Sequence, residues 1–294
     1  MSSHLDELES KGIFILREAH ANFRDLGMLW SIGKDSTVLL WLARKAFFDK
    51  IPFPLIHIDT DYKIPEMIAY RDQLALTWKL DLIVGKNVEA LQKKQTYADG
   101  YIDRVSCCRS LKTQALQQTI DGSGPQYRLN LQTEKFDELK EKRHFSGLIL
   151  GIRADEEGSR SKERYFSPRD TNNHWQIIEQ PPEFWNQFNT DIAPNSHVRI
   201  HPLLDWTEVN IWEYIYRERI PTVSLYYDQG KGSRYRSLGC YPCTFPVTSK
   251  AKSPEEIIFE LKSGKFSKVA ERAGRAQDRE DGGGLETLRK EGYM

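Results

Sequence analysis

The stretch Trp30-Ser31-Ile32-Gly33-Lys34-Asp35-Ser36-Thr37 follows an apolar run, Leu26 to Leu29, and leads into residues with a helical pattern, Val38 to Phe48. A short strand, a turn of small residues with hydroxyls and a lysine, and then a helix typically bind phosphate through backbone N–H groups. The stretch lacks the spacing of a GxxxxGK(S/T) loop and of a GxGxxG turn. It predicts a nucleotide site of another type, with a surface turn capped by Ser31 or Asp35 as the alternative.

The composition is that of a globular protein without an overall charge. Of the 294 residues, 39% are hydrophobic and 11% aromatic, which is enough for a sizeable core. Lys+Arg and Asp+Glu both number 42, so the formal net charge is zero and no overall basic field favours nucleic acid. No apolar run approaches membrane-spanning length, and the polar, acidic first residues differ from a signal peptide. We expect a soluble cytoplasmic protein.

Strand-like and helix-like segments alternate along most of the chain. The predicted strands cover residues 26–29, 53–60, 80–84, 147–152 and 198–203. The predicted helices cover residues 5–23, 36–48, 65–80, 108–120 and 253–261, and a further helix starts around Thr207. This order indicates the α/β class, with a doubly wound, mostly parallel sheet and a loop-rich C-terminal region.

Two regions are expected from the change in composition near residue 226. Residues 1–225 are predicted to form a nucleotide-binding α/β domain, and residues 226–294 a loop-rich region whose tail closes over the site. Charged residues 134–143 predict a solvent-facing helix. Residues 266–294, dense in charge and glycine, predict a flexible or ligand-ordered tail rather than core.

Polar residues follow two of the predicted strands at their carboxyl ends, where open α/β sheets bind ligands. Asp59 and Thr60 end one strand, and a charged burst follows another: Arg153, Asp155, Glu156, Arg160 and Arg164. Arginine suits tetrahedral oxyanions because its guanidinium presents a fork of donors. A surface ion-pair network is the alternative for this burst. His57 is interpreted as a structural histidine of the sheet.

The cysteines form two close pairs. Cys107 and Cys108 are adjacent, and Cys240 and Cys243 have the CxxC spacing. In a reducing compartment, this pattern favours metal or redox chemistry over disulfides. Four thiolates can hold a [4Fe-4S] cluster or a structural zinc ion, and we favour iron because adjacent cysteines are awkward for zinc knuckles. Reduced thiols without a ligand are the remaining alternative.

The chain resembles a known family over nearly its whole length. Ser31 to Ser36 is similar to the SGGxDS loop of the ATP pyrophosphatase superfamily, with Ile32 in place of one glycine. The further motifs are PFPLIHIDT ending at Thr60, GIRADEEGSRSKER at 151–164, HPLLDWTEVNIW at 201–212, RYRSLGCYPCT at 234–244 and ERAGRAQD at 271–278. Together they resemble the small subunit of bacterial sulfate adenylyltransferases, in the phosphoadenylylsulfate reductase branch of that superfamily.

The resemblance implies adenylation of sulfate by ATP with Mg²⁺, which releases pyrophosphate, in partnership with a GTPase large subunit. It implies catalytic roles for Lys34, Arg153 and Arg160. It also implies that ATP is bound by Ser31, Gly33, Asp35, Ser36, Asp59, Thr60, Asp155 and Arg236. Arg234, Arg272 and Arg275 are further candidates to close over the triphosphate, with solvated tail charge as the alternative.

Three features depart from this family: a longer stretch at 121–145, a short run at 227–233, and the cysteine set. Cysteines Cys107, Cys108, Cys240 and Cys243 are similar to the cluster ligands of adenylylsulfate reductases. A reductase also needs a later catalytic cysteine, which is absent after Cys243. The competing function is therefore an iron–sulfur ATP pyrophosphatase that activates a nucleic-acid group for sulfur insertion, in DNA phosphorothioation or tRNA thiolation, with a cysteine desulfurase and nucleic-acid modification proteins as partners.

Overall fold

A computed structural model describes residues 3–156, 158–175, 180, 182–190, 193, 196–275 and 291–292. Its strands in those ranges are β1 (Leu26–Leu29), β2 (Leu55–Ile58), β3 (Leu82–Gly85), β4 (Gln126–Asn130), β5 (Lys135–Glu138), β6 (Gly147–Ile149), β7 (Phe166–Arg169), β8 (His197–Ile200), β9 (Ser233–Arg234) and β10 (Val247–Thr248). Its α-helices are α1 (His4–Asn22), α2 (Lys34–Ala46), α3 (Pro65–Thr77), α4 (Val88–Gln92), α5 (Arg104–Cys108), α6 (Ala115–Ile120), α7 (Glu208–Glu218) and α8 (Pro254–Lys262). A π-helical segment, Arg109–Gln114, joins α5 to α6.

One sheet of eight strands organises the chain, in the order β5-β4-β3-β2-β1-β6-β8-β7. The five central strands, from β3 to β8, are parallel, and β4, β5 and β7 add antiparallel edges. Strand order reverses around β1, which pairs with β2 on one side and β6 on the other. Ligands of open α/β sheets bind at the carboxyl ends of the strands at such a point. The predicted doubly wound, mostly parallel sheet is confirmed.

The central strands are buried on both faces, as their continuous apolar runs predict. Successive residues of β1 show this arrangement, because Met28 belongs to one apolar cluster and Leu29 to another. The larger cluster includes buried residues of α1, α2, α3 and α7, and the smaller one includes residues of α6. The core therefore consists of two layers with the sheet between them.

The structure corrects one predicted helix and adds strands that were not predicted. Residues 134–143 do not form a helix, because Lys135–Glu138 is strand β5, paired in register with β4. Glu134 has a positive φ of 56° in the turn between them, and Phe136 packs against the larger apolar cluster. Strand pairing and this packing override the weak helical preference of the charged sequence. Strand β7 was not predicted, since its residues lack an apolar run.

Capping residues explain where two of the helices begin. Thr207 accepts a hydrogen bond from the Asn210 backbone N–H, and Asn210 bonds back to the Thr207 N–H, which closes a capping box. Ser253 caps α8, with Pro254 in its first turn. Both starts agree with the sequence prediction. Among the described residues, no helix has the length and apolar character needed to span a membrane.

The tail prediction can be followed only in part, because residues 276–290 and 293–294 lie outside the described ranges. Of the tail residues that the structure describes, Glu271 and Arg272 are buried. These two charged side chains are buried because they have ion-pair partners in the site described next, and the prediction of a flexible or ligand-ordered tail stays a prediction.

Candidate active site

The loop after β1 is shaped to present the start of a helix. Ile32 has a positive φ of 70°, and Gly33 is the N-cap of α2 without a side-chain capping bond. The Ser36 hydroxyl donates to the Gly33 carbonyl at 3.1 Å and lies 3.1 Å from the Ser31 hydroxyl. The Lys34 N–H donates to the Tyr226 phenol at 2.8 Å. The uncapped N-terminus of α2 is a favourable place for an anion.

Glycine at position 151 allows β6 to approach this loop closely. A Cβ atom there would lie 3.0 Å from the Cα and from the backbone nitrogen of Ser36. Those are backbone atoms of the first turn of α2, so they cannot swing aside. Gly151 therefore brings the charged burst that begins at Arg153 next to the loop.

A network of ion pairs lies beneath the loop. Lys34 pairs with Asp35 at 3.0 Å and with Glu271, and its side chain is 1% exposed. Arg153, which is fully buried, pairs with the same two carboxylates. Its Nε also donates to Asp155 Oδ1 at 2.9 Å. Two cations and two carboxylates thus share one buried space.

The pKa shifts of Arg153 and Glu271 both favour the charged form of the group. Burial opposes ionisation of Arg153, but Glu271 and Asp155 outweigh it and raise the arginine pKa. Burial also opposes ionisation of Glu271, but Arg153 and Lys34 outweigh it and lower its pKa. Such groups stay ionised in a buried site because each charge has a partner of opposite sign.

A cavity of about 130 Å³ opens beside this network. The predicted residues that line it are Ser31, Gly33, Lys34, Asp35, Ser36, Glu156, Arg160, Arg272 and Arg275. Glu156 pairs with Arg160 and, at 3.3 Å, with Arg272. The cavity therefore combines an uncapped helix start with several cations, which is the environment that a phosphate chain requires.

Other predicted site residues take supporting positions. Asp155 accepts a hydrogen bond from the Glu208 backbone N–H at 3.0 Å, so it ties Arg153 to the start of α7. Arg236 does not line the cavity, because its guanidinium pairs with Glu208 at 2.6 Å. Arg234 binds Glu260 at 3.2 Å, again away from the cavity lining, and Arg164 is not part of that lining.

Two residues predicted to contact ATP, Asp59 and Thr60, line cavities other than the one at the loop. Asp59 lines a cavity of about 240 Å³ with Arg71 and Lys86, each 3.5 Å from its carboxylate. Burial opposes ionisation of Asp59, but its surroundings, which include the cations Lys86 and Arg71, outweigh it and lower its pKa. Thr60 Oγ1 lies 3.2 Å from Cys240 Sγ. Residues that follow β2 thus line two cavities, and only the one with Thr60 shares a lining residue, Lys112, with the cavity at the loop.

His57 has the contacts of a structural residue. It is 1% exposed, and its Nδ1 lies 2.9 Å from the Trp30 carbonyl oxygen, which joins β2 to the residue after β1. Burial, with the nearby cations Lys63 and Arg71, lowers its pKa to about 3. It is therefore neutral in the folded protein at neutral pH.

The four cysteines line one small cavity, of about 20 Å³, although they come from two distant segments. Cys108 is on α5, and Lys112, one turn further along, donates to its sulfur at 3.4 Å. None of the four forms a disulfide. Within the described ranges, no three His, Cys, Asp or Glu side chains converge closely enough to hold a metal ion. The donors fit a thiolate-bound group in type, and the metal site stays a prediction.

The charges around this cavity favour an anionic sulfur at one position. Burial opposes ionisation of Cys240, but Lys112 and Lys63 outweigh it and lower its pKa to about 7. Burial raises the pKa of Cys107 to about 11. Lysine side chains therefore make the cysteine cavity electropositive on the side of Cys240.

Sequence reasoning missed four residues of the site: Lys63, Lys112, Tyr226 and Glu271. Lys63, Lys112 and Tyr226 line the 130 Å³ cavity, and Glu271 pairs with Lys34 and Arg153 beneath it. Only Lys112 had a local signal, because it lies four residues after Cys108 on a predicted helix. The others reach the site through long-range packing.

Fold and site together define an α/β protein of the adenine nucleotide alpha hydrolase type. Among solved structures, a phosphoadenylyl-sulfate reductase from Candida auris has a TM-score of 0.52 at 18% identity, covering 83% of this chain and 98% of that one. An FMN adenylyltransferase from Candida glabrata also has a TM-score of 0.52, at 15% identity, covering 84% and 68%. At these identities the similarity shows the fold alone.

Sequence comparison identifies the family. The model for the phosphoadenosine phosphosulfate reductase domain matches residues 25–246. A sulfate adenylyltransferase subunit 2 from Pseudoalteromonas translucida is 38% identical, covering 99% of both chains. Another from Bradyrhizobium sp. is 40% identical, covering 99% of this chain and 92% of the relative. The chain therefore belongs to the phosphoadenosine phosphosulfate reductase domain family, within its group of sulfate adenylyltransferase subunit 2 proteins.

Proposed function

We propose that the chain transfers the adenylyl group of ATP to sulfate, giving adenylylsulfate and pyrophosphate, as the catalytic subunit of a sulfate adenylyltransferase. One observation carries the proposal: the uncapped start of α2, with buried Lys34 and Arg153, at the carboxyl end of the central parallel strand. This arrangement suits a chain of phosphates. The similarity to sulfate adenylyltransferase subunits over nearly the whole chain supports sulfate as the acceptor.

The reaction requires charge stabilisation and alignment rather than a covalent intermediate on the protein. A sulfate oxygen forms a bond to the α-phosphorus, the bond from that phosphorus to the bridging oxygen breaks, and pyrophosphate leaves with the electron pair. Catalysis then depends on holding acceptor and leaving group in line and neutralising the charge that develops.

The loop residues are assigned to the leaving pyrophosphate. The Lys34 side chain, the N–H groups that follow that of Lys34 in the first turn of α2, and the hydroxyls of Ser31 and Ser36 would bind its oxygens. Arg153 and Arg160 would neutralise charge on the phosphates during bond breaking. Asp155 acts as a positioning residue, since it holds Arg153 Nε at 2.9 Å.

Carboxylates are paired with the cations that are assigned to the phosphates. Asp35 and Glu271 pair with Lys34 and Arg153, and Glu156 pairs with Arg160. Binding of ATP must therefore redistribute these pairs. We include Mg²⁺ in the proposal, held mainly by the phosphates with few protein oxygens, as is usual for this ion.

The region from residue 226 onward is proposed to close over the site as a separate unit from residues 1–225. Tyr226 accepts a hydrogen bond from the Lys34 N–H, and Glu271 pairs with the Lys34 side chain. Arg236 does not line the cavity, but it links the C-terminal region to α7, since it donates to Glu208 and to the Val269 carbonyl. These contacts support the proposal that the region from residue 226 onward closes over the site.

A GTPase large subunit is the proposed partner, and the cytoplasm the proposed location. The relatives are named subunit 2, which describes one component of a larger enzyme. Energy from GTP hydrolysis would offset the unfavourable equilibrium of sulfate adenylation. Co-purification of the chain with such a subunit is the direct test of the partnership.

We also propose that Cys107, Cys108, Cys240 and Cys243 hold a [4Fe-4S] cluster. Their shared cavity and the cations Lys63 and Lys112 support this assignment, because cationic surroundings favour thiolates. When bound, the cluster would cross-link two segments that are distant in sequence. Zinc held by the four thiolates is the alternative that metal analysis distinguishes.

One observation keeps the sulfur-insertion function as a second candidate. Lys112 lines both the phosphate cavity and the cysteine cavity, so a cluster would lie next to the nucleotide. An enzyme of that class would activate a nucleic-acid group with ATP, fed by a cysteine desulfurase. Isotope exchange between ATP and pyrophosphate, with and without sulfate, separates the two functions.

A further inference from the structure

We propose that Lys63 binds the oxyanion that accepts the adenylyl group, at a subsite separate from the phosphate loop. This inference rests on the proposed function, since it names the acceptor side of the same site. Lys63 lies in the loop between β2 and α3 and lines the 130 Å³ cavity together with Lys34. It belongs to none of the segments from which the sequence predicted catalytic residues.

Lys63 differs from the other cations of the cavity in its partners. Lys34 has Asp35 and Glu271, and Arg160 has Glu156. Within the described part of the chain, the Lys63 ammonium group has neither a hydrogen bond nor an ion pair. Asp59, a carboxylate that favours the charge on Lys63, is already paired with Arg71 and Lys86. Burial lowers the pKa of Lys63, and Cys240 is the main group that opposes this shift. A half-buried ammonium group that faces a cavity and has no carboxylate partner of its own among the described residues is suited to an anionic ligand.

The surroundings of Lys63 add further positive charge. Lys112 and Arg275 both act on it as like charges, and both line the same cavity. Cys240 is the other ionisable group that faces it. The three cations come from the loop after β2, the π-helical segment and the C-terminal segment, so only the folded chain brings them together.

Backbone contacts fix the position of Lys63. It forms an antiparallel bridge with Cys240, and the Tyr241 N–H donates to the Tyr62 carbonyl at 2.7 Å. Arg275 is held by Ser237, whose hydroxyl accepts from its Nε at 2.8 Å. A π-helical segment, often found at functional sites, carries Lys112. The backbone of Lys63 and the side chain of Arg275 are therefore held in place, and Lys112 is carried by a helical segment.

The chemistry of the reaction needs such a second group of cations. The acceptor is a tetrahedral dianion, and it must approach a phosphate chain that is itself negative. Lys34 and the start of α2 are committed to the leaving pyrophosphate in the proposed function. A separate cation for the acceptor would lower the repulsion and fix the attacking oxygen in line.

The test compares Lys63→Met and Lys63→Gln with the wild type, each purified with its partner subunit. Lys93→Met, at the exposed C-cap of α4, is the matched control. The KM for sulfate is measured in ATP–pyrophosphate exchange, and ATP affinity is measured by titration with α,β-methylene-ATP. We expect the KM for sulfate to rise about 10- to 100-fold, with analogue affinity unchanged. Lys63→Arg should recover part of the sulfate affinity.

Three results would overturn the inference. An unchanged KM for sulfate would remove Lys63 from the acceptor subsite. A parallel loss of affinity for the analogue in both neutral variants would assign Lys63 to ATP instead. Failure of the Lys63→Arg variant to recover any sulfate affinity would indicate a purely structural role.

A separate binding experiment distinguishes failure of this inference from failure of the proposed function. Sulfate is titrated into each protein already saturated with α,β-methylene-ATP. If wild-type exchange ignores sulfate, the proposed function fails. The titration then decides the subsite: sulfate binding lost in Lys63→Met supports it, whereas equal binding, or none to the wild type, contradicts it.

Discussion

Glu271 and Lys34 are 237 positions apart in sequence, and their side chains form a buried ion pair beside the start of α2. The same carboxylate pairs with Arg153, so it bridges the two cations assigned to the phosphates. In a protein without nucleotide, Glu271 neutralises charge that ATP would otherwise neutralise. This relationship links the C-terminal region to the loop after β1.

Replacement of Glu271 by Gln should make the protein depend more strongly on a bound anion. The change leaves Lys34 and Arg153 with one carboxylate fewer in a buried site, which destabilises the fold by about 3–5 kcal/mol. Pyrophosphate should recover part of this loss. Thermal unfolding with and without pyrophosphate measures the effect, and Glu255→Gln on the exposed face of α8 is the control. Equal stabilisation of variant and wild type by pyrophosphate would contradict the bridging role.

Replacement of Lys34 by Ala should abolish pyrophosphate release while cooperative unfolding is retained. Removal of one pre-organised cation from a charge-stabilising site costs about 100- to 1,000-fold in rate. Pyrophosphate release in the presence of ATP and sulfate is the measurement, and denaturant unfolding checks the fold. Turnover close to that of the wild type would show that the loop has another role.

Combined replacement of Cys107 and Cys240 by Ser should remove bound iron. Each change deletes a thiolate from one of the two cysteine pairs, and a cluster with two remaining ligands is not retained. Iron, acid-labile sulfide and zinc are measured after anaerobic purification. Equal metal content in variant and wild type would refute the cluster, and zinc without sulfide would replace it with a structural zinc site.

Burial of His57 should make the protein less stable in mild acid. Its pKa is about 3 in the folded protein against an ordinary value of 6.5, so below pH 6.5 the unfolded chain binds a proton that the folded chain does not. The free energy of unfolding therefore falls as pH decreases from 6.5 towards 3. Between pH 7 and pH 5 this histidine contributes a loss of about 2 kcal/mol.

The His57→Asn variant measures that contribution. The difference in unfolding free energy between pH 7 and pH 5 should shrink by about 2 kcal/mol relative to the wild type. His20→Asn, at an exposed position of α1, is the matched control. A pH dependence identical to that of the wild type would show that His57 is protonated in the fold.

Much of the fold could be predicted because its signals are local. Continuous apolar runs gave the parallel strands, and capping residues such as Thr207 and Ser253 gave helix starts. The loop was recognisable because its conformation depends on neighbouring residues. The hairpin of β4 and β5 was missed, since charged residues spaced as in a helix prefer strand pairing once Phe136 packs on the core.

The site was predicted in part for the same physical reason. The position of Lys34, Arg153 and Arg160 at the sheet edge could be inferred, because these residues come soon after strands β1 and β6 in the sequence. The roles of Glu271 and Lys63 depend on contacts between distant segments, which no local pattern encodes. Arg236 was predicted to bind ATP from its motif, but in the structure its side chain pairs with Glu208 instead.

The most direct test of the account is isotope exchange between ATP and pyrophosphate on anaerobically purified protein with its partner subunit. We expect exchange that depends on sulfate, is lost in Lys34→Ala and persists in Lys93→Met. Exchange that proceeds at the same rate without sulfate would contradict sulfate as the acceptor and would favour a sulfur-insertion enzyme.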